Sequence, residues 1–216
     1  MKKLLYKEMR LSANPLSYWF ITFSAMTMIP RYPILVGSFF ICLGIFYTYQ
    51  QVRECDDITY TVMLPVSKQD VVTAKYLFVL LIELVAFVLC ALLTIIRMKT
   101  LGNAAPYVTN QLMNANAAYL GYLLAVFASF NGIFLAGFFK TAYKLGKPFI
   151  LFCVVGTSII LMGEVLHHIP GLESLNDPAN LSIPQVVILL IGIVMFKLCT
   201  WFSYRKAVKD FERLDL

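Results

Sequence analysis

The chain has 216 residues, of which 60% are hydrophobic and only 14% charged, whereas a soluble domain carries about 25% charged residues. Long apolar runs recur along the whole length, which excludes a separate soluble domain and predicts a single all-α, polytopic membrane domain over 1–216. The net charge of +6 comes from cations that flank apolar runs rather than forming a stripe, so it points to an inner-leaflet surface and away from nucleic acid.

The lead MKKLLYKEMR, with Leu4, Leu5, Met9 and Leu11 on one side and lysines on the other, predicts an interfacial helix over 1–13 lying on the membrane. A cleaved leader is not expected, because Glu8 interrupts the basic segment and no small-residue cleavage site follows. Six segments have the character of spanning helices: Asn14–Pro30, Pro33–Tyr49, Val71–Ile96, Ala117–Phe139, Pro148–Leu166 and Pro184–Tyr204. The first two are short and separated by RYP, which predicts a tight hairpin at the far surface. Pro33, Pro148 and Pro184 fall where a helix tolerates a missing N–H.

The outer turns hold only Arg31, Arg97 and Lys99, while the other cations, apart from Lys197, fall on the side of the N-terminus. That asymmetry places both termini in the cytoplasm. Tyr18, Trp19, Tyr47, Tyr49, Trp201 and Tyr204 at the inner boundary, with Tyr32, Tyr107 and Tyr119 at the outer one, agree with it.

The longest inner loop, DDITYTVMLPVSKQD, is expected to form an elbow over 56–66. Asp56 and Asp57 suit a helix start, Ile58, Val62, Met63 and Leu64 supply an apolar face, and Pro65 ends the helix. Ser67 with Asp70 is a capping-box-like start for the next helix. From Lys68 to Ile96 that helix runs about 43 Å, longer than the roughly 30 Å hydrocarbon layer, so it projects into the cytoplasm. Acids on the polar side of the elbow suit an anionic leaflet poorly, which favours a protein partner over a membrane surface.

Within the spans, Glu83 lies about 12 Å and Lys197 about 10 Å from the inner boundary. Their matched depth suggests an ion pair or the polar lining of a cavity; the other reading is a snorkelling Lys197 with Glu83 protonated against backbone. Phe127, Phe130, Asn131 and Phe134 on the fourth span are candidates for lining a pathway, although a Phe-rich helix is more often packing. Glu164, His167 and His168 in GEVLHH read as a polar helix end, and no metal is expected there. The five cysteines are scattered without C-x-x-C, so neither disulfides nor zinc are expected. The tail over 205–216 continues the last helix as a solvated end. No H-E-x-x-H, G-x-S-x-G or G-x-x-x-x-G-K-[ST] occurs, so the chain is not expected to hydrolyse ATP or act as an enzyme itself.

LPVSKQDVVTAKYL at the elbow resembles the L-P-V-S-[RK]-x-x-[IV]-V-x-x-K-Y pattern of ABC-2 type permeases, the membrane subunits of one class of ATP-binding-cassette exporters. Lys68 stands where arginine is frequent, and the large outer domain of some relatives is missing. The resemblance implies six helices, a pathway formed with a second copy or a sister permease, and separate ABC ATPase subunits that carry ATP and Mg. It further implies that Asp57–Leu64 is the coupling helix, with Ile58, Tyr60, Thr61, Met63 and Leu64 docking into the ATPase. The compact size is similar to exporters of phenol-soluble modulins and other amphipathic or toxic peptides, in the cell membrane. An apolar, aromatic cavity suits such peptides or hydrophobic compounds better than a sugar or free ion. A secondary transporter independent of ATPase, and a membrane immunity or assembly factor, are the alternatives from other classes.

Overall fold

The computed structural model describes residues 2–214, and no strand occurs among them. The chain opens with α1 (Lys2–Lys7), which runs into a π-turn at Glu8–Ser12. A short helix, α2 (Pro15–Trp19), is capped by Asn14, whose side chain accepts from the Leu16 N–H, and tightens into a 3₁₀ run over Phe20–Met28. It packs against α3 (Val36–Glu54). Ser17 joins the two, donating to the Gly44 carbonyl at 2.7 Å.

Asp56, in the left-handed region at φ 48°, turns the chain into α4 (Asp57–Val62). Ser67 then caps α5 (Lys68–Thr100), its hydroxyl accepting from the Asp70 N–H at 3.0 Å. At 33 residues α5 is about 50 Å long, so its ends extend well beyond an apolar layer. Its sides differ sharply. Val71, Val72, Ala74, Phe78, Val79, Ile82 and Ala86 are buried, while Leu77, Leu81, Leu84, Val88, Leu92 and Ile95 are exposed at helical spacing. That exposed apolar stripe is the face a lipid layer covers.

After α6 (Ala105–Val108), the centre of the bundle is α7 (Ala117–Ser129), every residue of which is buried. It continues through a π-turn at Phe130–Leu135 into α8 (Ala136–Phe139). Next come α9 (Gly146–Leu166), a 3₁₀ turn at Glu173–Asn176 and α10 (Ile183–Glu212). α10 crosses α7 most closely at Gly121 and Gly192: a Cβ on Gly121 would lie 2.5 Å from the Ile188 carbonyl oxygen. Small residues at this crossing allow the two backbones to touch, the usual device for joining helices in lipid.

Four segments are long and apolar enough to cross a membrane: Lys68–Thr100, Ala117–Phe139, Gly146–Leu166 and Ile183–Glu212. These contain the last four of the six expected spans. The first hairpin is less regular, because its leading half is 3₁₀ and α3 ends in Gln50, Gln51, Arg53 and Glu54. The expected solvated tail is partly corrected: Ala207 and Phe211 are buried, with the Phe211 ring edge-on to Phe139 at 5.8 Å.

Candidate functional site

The elbow is built on a cluster of four charges contributed by three segments. Lys75 on α5 and Glu8 in the N-terminal π-turn are each only 2% exposed, and their side chains meet at 2.8 Å. Lys75 also reaches Asp57 on α4 at 2.9 Å. Lys7 contacts Asp57 at 2.5 Å and Glu8 at 3.1 Å, and donates to the Thr61 hydroxyl at 2.7 Å. Ser12 donates at 3.1 Å to Asp57 Oδ1, the oxygen that Lys7 also contacts, while Lys75 holds Oδ2. Two lysines against two carboxylates leave the cluster neutral as a unit, and this is what makes its burial tolerable. Burial alone would raise the Asp57 carboxyl, but the ammonium groups of Lys75 and Lys7 outweigh it and hold the carboxyl below the usual carboxylate range.

This geometry corrects three expectations. Asp56 and Asp57 do not cap α4 through their side chains; Asp57 is an ion-pair partner instead. The N-terminal helix does not turn all its cations to the membrane, since Lys7 faces Asp57 and Glu8 is buried. Of the five proposed docking residues, Ile58 and Thr61 point inward and are buried. Tyr60 and Met63 are 62% and 79% exposed, and Leu64 is exposed beside them. α4 thus has one face fixed to α1 and α5 and another carrying a bare apolar tip.

The second cluster lies at membrane depth around the π-turn of the α7–α8 helix. Glu83 is 1% exposed, and its Oε2 accepts from Asn131 Nδ2 at 2.9 Å. The same amide donates to Thr200 at 3.1 Å. Ser203 donates to the Asn131 carbonyl and shares a 2.7 Å hydrogen bond with the Tyr76 hydroxyl. Glu83 and Lys197 border one cavity of about 310 Å³, together with Leu80, Phe87, Phe127 and Phe196. They form no ion pair: no Lys197–carboxylate contact within 4.0 Å occurs among the described residues. Equal depth did not specify direction around the helices, and Asn131 is the partner that Glu83 meets.

Phe127 reaches this cavity, whereas Phe130 and Phe134 do not. Both are fully buried, stacked on each other at 4.8 Å, with Phe134 edge-on to Tyr49 and Phe46. They are packing residues. A larger groove of about 720 Å³ opens beside the cavity, lined by Tyr76, Leu77, Leu198, Trp201 and Tyr204. The two share Leu80, Phe196 and Lys197.

At the end of the bundle away from α4, Glu164 Oε2 accepts from the Met113 N–H at 2.8 Å, and His167 Nε2 lies 3.0 Å from the Gln111 carbonyl. These residues tie α9 to the 110–116 segment, with His168 beside the His167 ring. Sequence reasoning had not singled out the partners of Lys75, nor the buried Arg97. Arg97 donates to the Thr27 carbonyl at 2.5 Å and to Asn114 Oδ1 at 2.8 Å, and lies over the Tyr107 ring. An isolated acid in a basic segment, Glu8, was the one signal that pointed to a buried partner.

A family model described as ABC-2 family transporter protein matches residues 3–212. No curated protein and no solved structure matches the chain.

Proposed function

The chain belongs to the ABC-2 family of transporter proteins, a multi-pass membrane component that normally works with an ATPase, and from this we propose that it is the permease subunit of an ATP-driven exporter. In this reading the first hairpin completes six spans, both termini face the cytoplasm, and the protein resides in the cell membrane. A second copy or a sister permease completes the pathway. The partner ABC ATPase supplies ATP and Mg. The cargo is an amphipathic or toxic peptide or a hydrophobic compound, a choice supported by the apolar α5–α10 groove.

The observation that carries the reading is the two-sided α4. A docking helix must offer an apolar surface to its partner and yet transmit displacement to the spans behind it. Tyr60, Met63 and Leu64 provide the first. Asp57 bound to Lys75 on α5, and Lys7 bound to Asp57 and Thr61, provide the second. When the ATPases close on ATP, they push α4, and the ion cluster carries the push into α1 and α5.

The test is extraction of the tagged protein in mild detergent, with ATPase activity assayed in the eluate. An ABC ATPase should co-purify in fixed ratio and be lost in the Met63→Glu/Leu64→Glu double variant, which should itself remain monodisperse. Because both side chains are exposed, the change leaves the core intact. An ATPase retained by the double variant, or a permease that emerges alone from several detergents, would overturn the assignment.

A further inference from the structure

Buried carboxylates are normally satisfied on both oxygens, and Glu83 is not. Oε2 receives the Asn131 amide, but Oε1 has no donor among the described residues. The neighbouring Asn131 Oδ1 is also without one. Two orphan acceptors in one hydrogen-bonded cluster call for a ligand rich in N–H donors. An ammonium carries three such donors and no acceptor.

The surroundings define the rest of that ligand. The cavity wall at Glu83 is otherwise aliphatic and aromatic, with Phe87, Phe127 and Phe196 the rings and Lys197 the one other charged group. Aromatic faces attract cations as well as alkyl groups. Through Leu80 and Phe196 the cavity continues into the groove that passes Trp201. Volumes of about 310 and 720 Å³ fall within the roughly 300–1,000 Å³ typical of small-molecule sites.

We propose that this cavity is a binding site for a hydrophobic primary amine, whose N–H groups are received by Glu83 Oε1 and whose apolar body lies along the α5–α10 groove. Lys197 stands on the same wall as the natural competitor for that oxygen. Its flexible stem lets the ammonium withdraw when the ligand enters. The inference deepens the export reading by naming a class of cargo, but it concerns the permease alone.

The experiment titrates purified protein in phosphatidylcholine nanodiscs, whose lipids offer no N–H donor, with dodecylamine and with dodecanol, following Trp201 fluorescence. A Trp19→Phe background removes the other tryptophan. Dodecylamine should bind more tightly than dodecanol by about tenfold or more, the scale of a charge-assisted hydrogen bond. Glu83→Gln should abolish that preference, and Lys197→Met should increase it. Equal binding of amine and alcohol would overturn the site, as would a preference untouched by Glu83→Gln or weakened by Lys197→Met. Displacement of the amine by added phosphatidylethanolamine would assign the cavity to a lipid headgroup and also overturn it. No ATPase is present, so a negative result leaves the docking assignment of α4 unaffected.

Discussion

The two ends of the bundle bury polar groups in opposite ways. At the α4 end, Lys7, Glu8, Asp57 and Lys75 neutralise one another through formal charge. At the opposite end, Arg97 is buried with no carboxylate partner among the described residues, and its surroundings are carbonyls and amides. There Asn114 binds the Asn176 carbonyl, Asn116 the Leu175 carbonyl and Gln185 the Ser174 carbonyl. Amide networks depend on direction at short range and fix loops in one arrangement. Ion pairs depend less on direction, so they would suit the short α4 in the proposed docking role, where it is displaced and must stay attached. The contrast sets a short helix held by charge at one end against loops lashed by directed amides at the other.

The largest effect should come from breaking the charge balance. Lys75→Met leaves Lys7 alone to serve the carboxylates of both Glu8 and Asp57, one negative charge in excess, and removal of one partner from a buried ion pair costs about 3–5 kcal/mol. Thermal unfolding in detergent should show it, and adding Glu8→Gln to Lys75→Met should recover part of the loss. Arg97→Met should cost less, about 1.5–3 kcal/mol for its lost charge-assisted hydrogen bonds, because no opposite charge is left behind. A second-site change of an acid should not rescue it.

Smaller still is Asn14→Ala, which removes the cap on α2 that accepts from the Leu16 N–H at 2.9 Å; about 1 kcal/mol is expected by the same unfolding assay. The pH response is the finest discriminator. The folded Asp57 carboxyl lies below its ordinary value, so its contribution is complete above about pH 4, near the unfolded value. It is lost as pH falls through the lowered folded value. Asp57→Asn should flatten that acid limb of the stability profile, whereas Asn114→Ala should shift the whole curve without changing its shape.

Much of the architecture was readable from local chemistry. Ser67 caps α5 as its spacing with Asp70 implied, Pro65 breaks the chain after α4, and Ala117–Phe139 is continuous helix. What stayed hidden were partners distant in sequence. Periodicity reports neighbours on one helix, so it identifies Glu83 and Lys197 as deep without showing that Glu83 turns to Asn131. Lys75 sits among Val71, Val72, Phe78 and Val79 on a buried face, which was legible, but its pairing with Glu8 arises only when α1 folds under α5. The inward turn of Ile58 and Thr61 follows from the same packing. Phe130 and Phe134 were ambiguous because an aromatic stripe looks alike whether it lines a path or fills a core.

A photo-crosslinker at Met63 tests most directly whether α4 meets a protein rather than the membrane surface. Benzoylphenylalanine placed there in intact cells should capture the ABC ATPase, while the same group at Leu84, on the apolar stripe of α5, should not. Capture of lipid alone at Met63 would contradict the account and return α4 to the role of an interfacial helix.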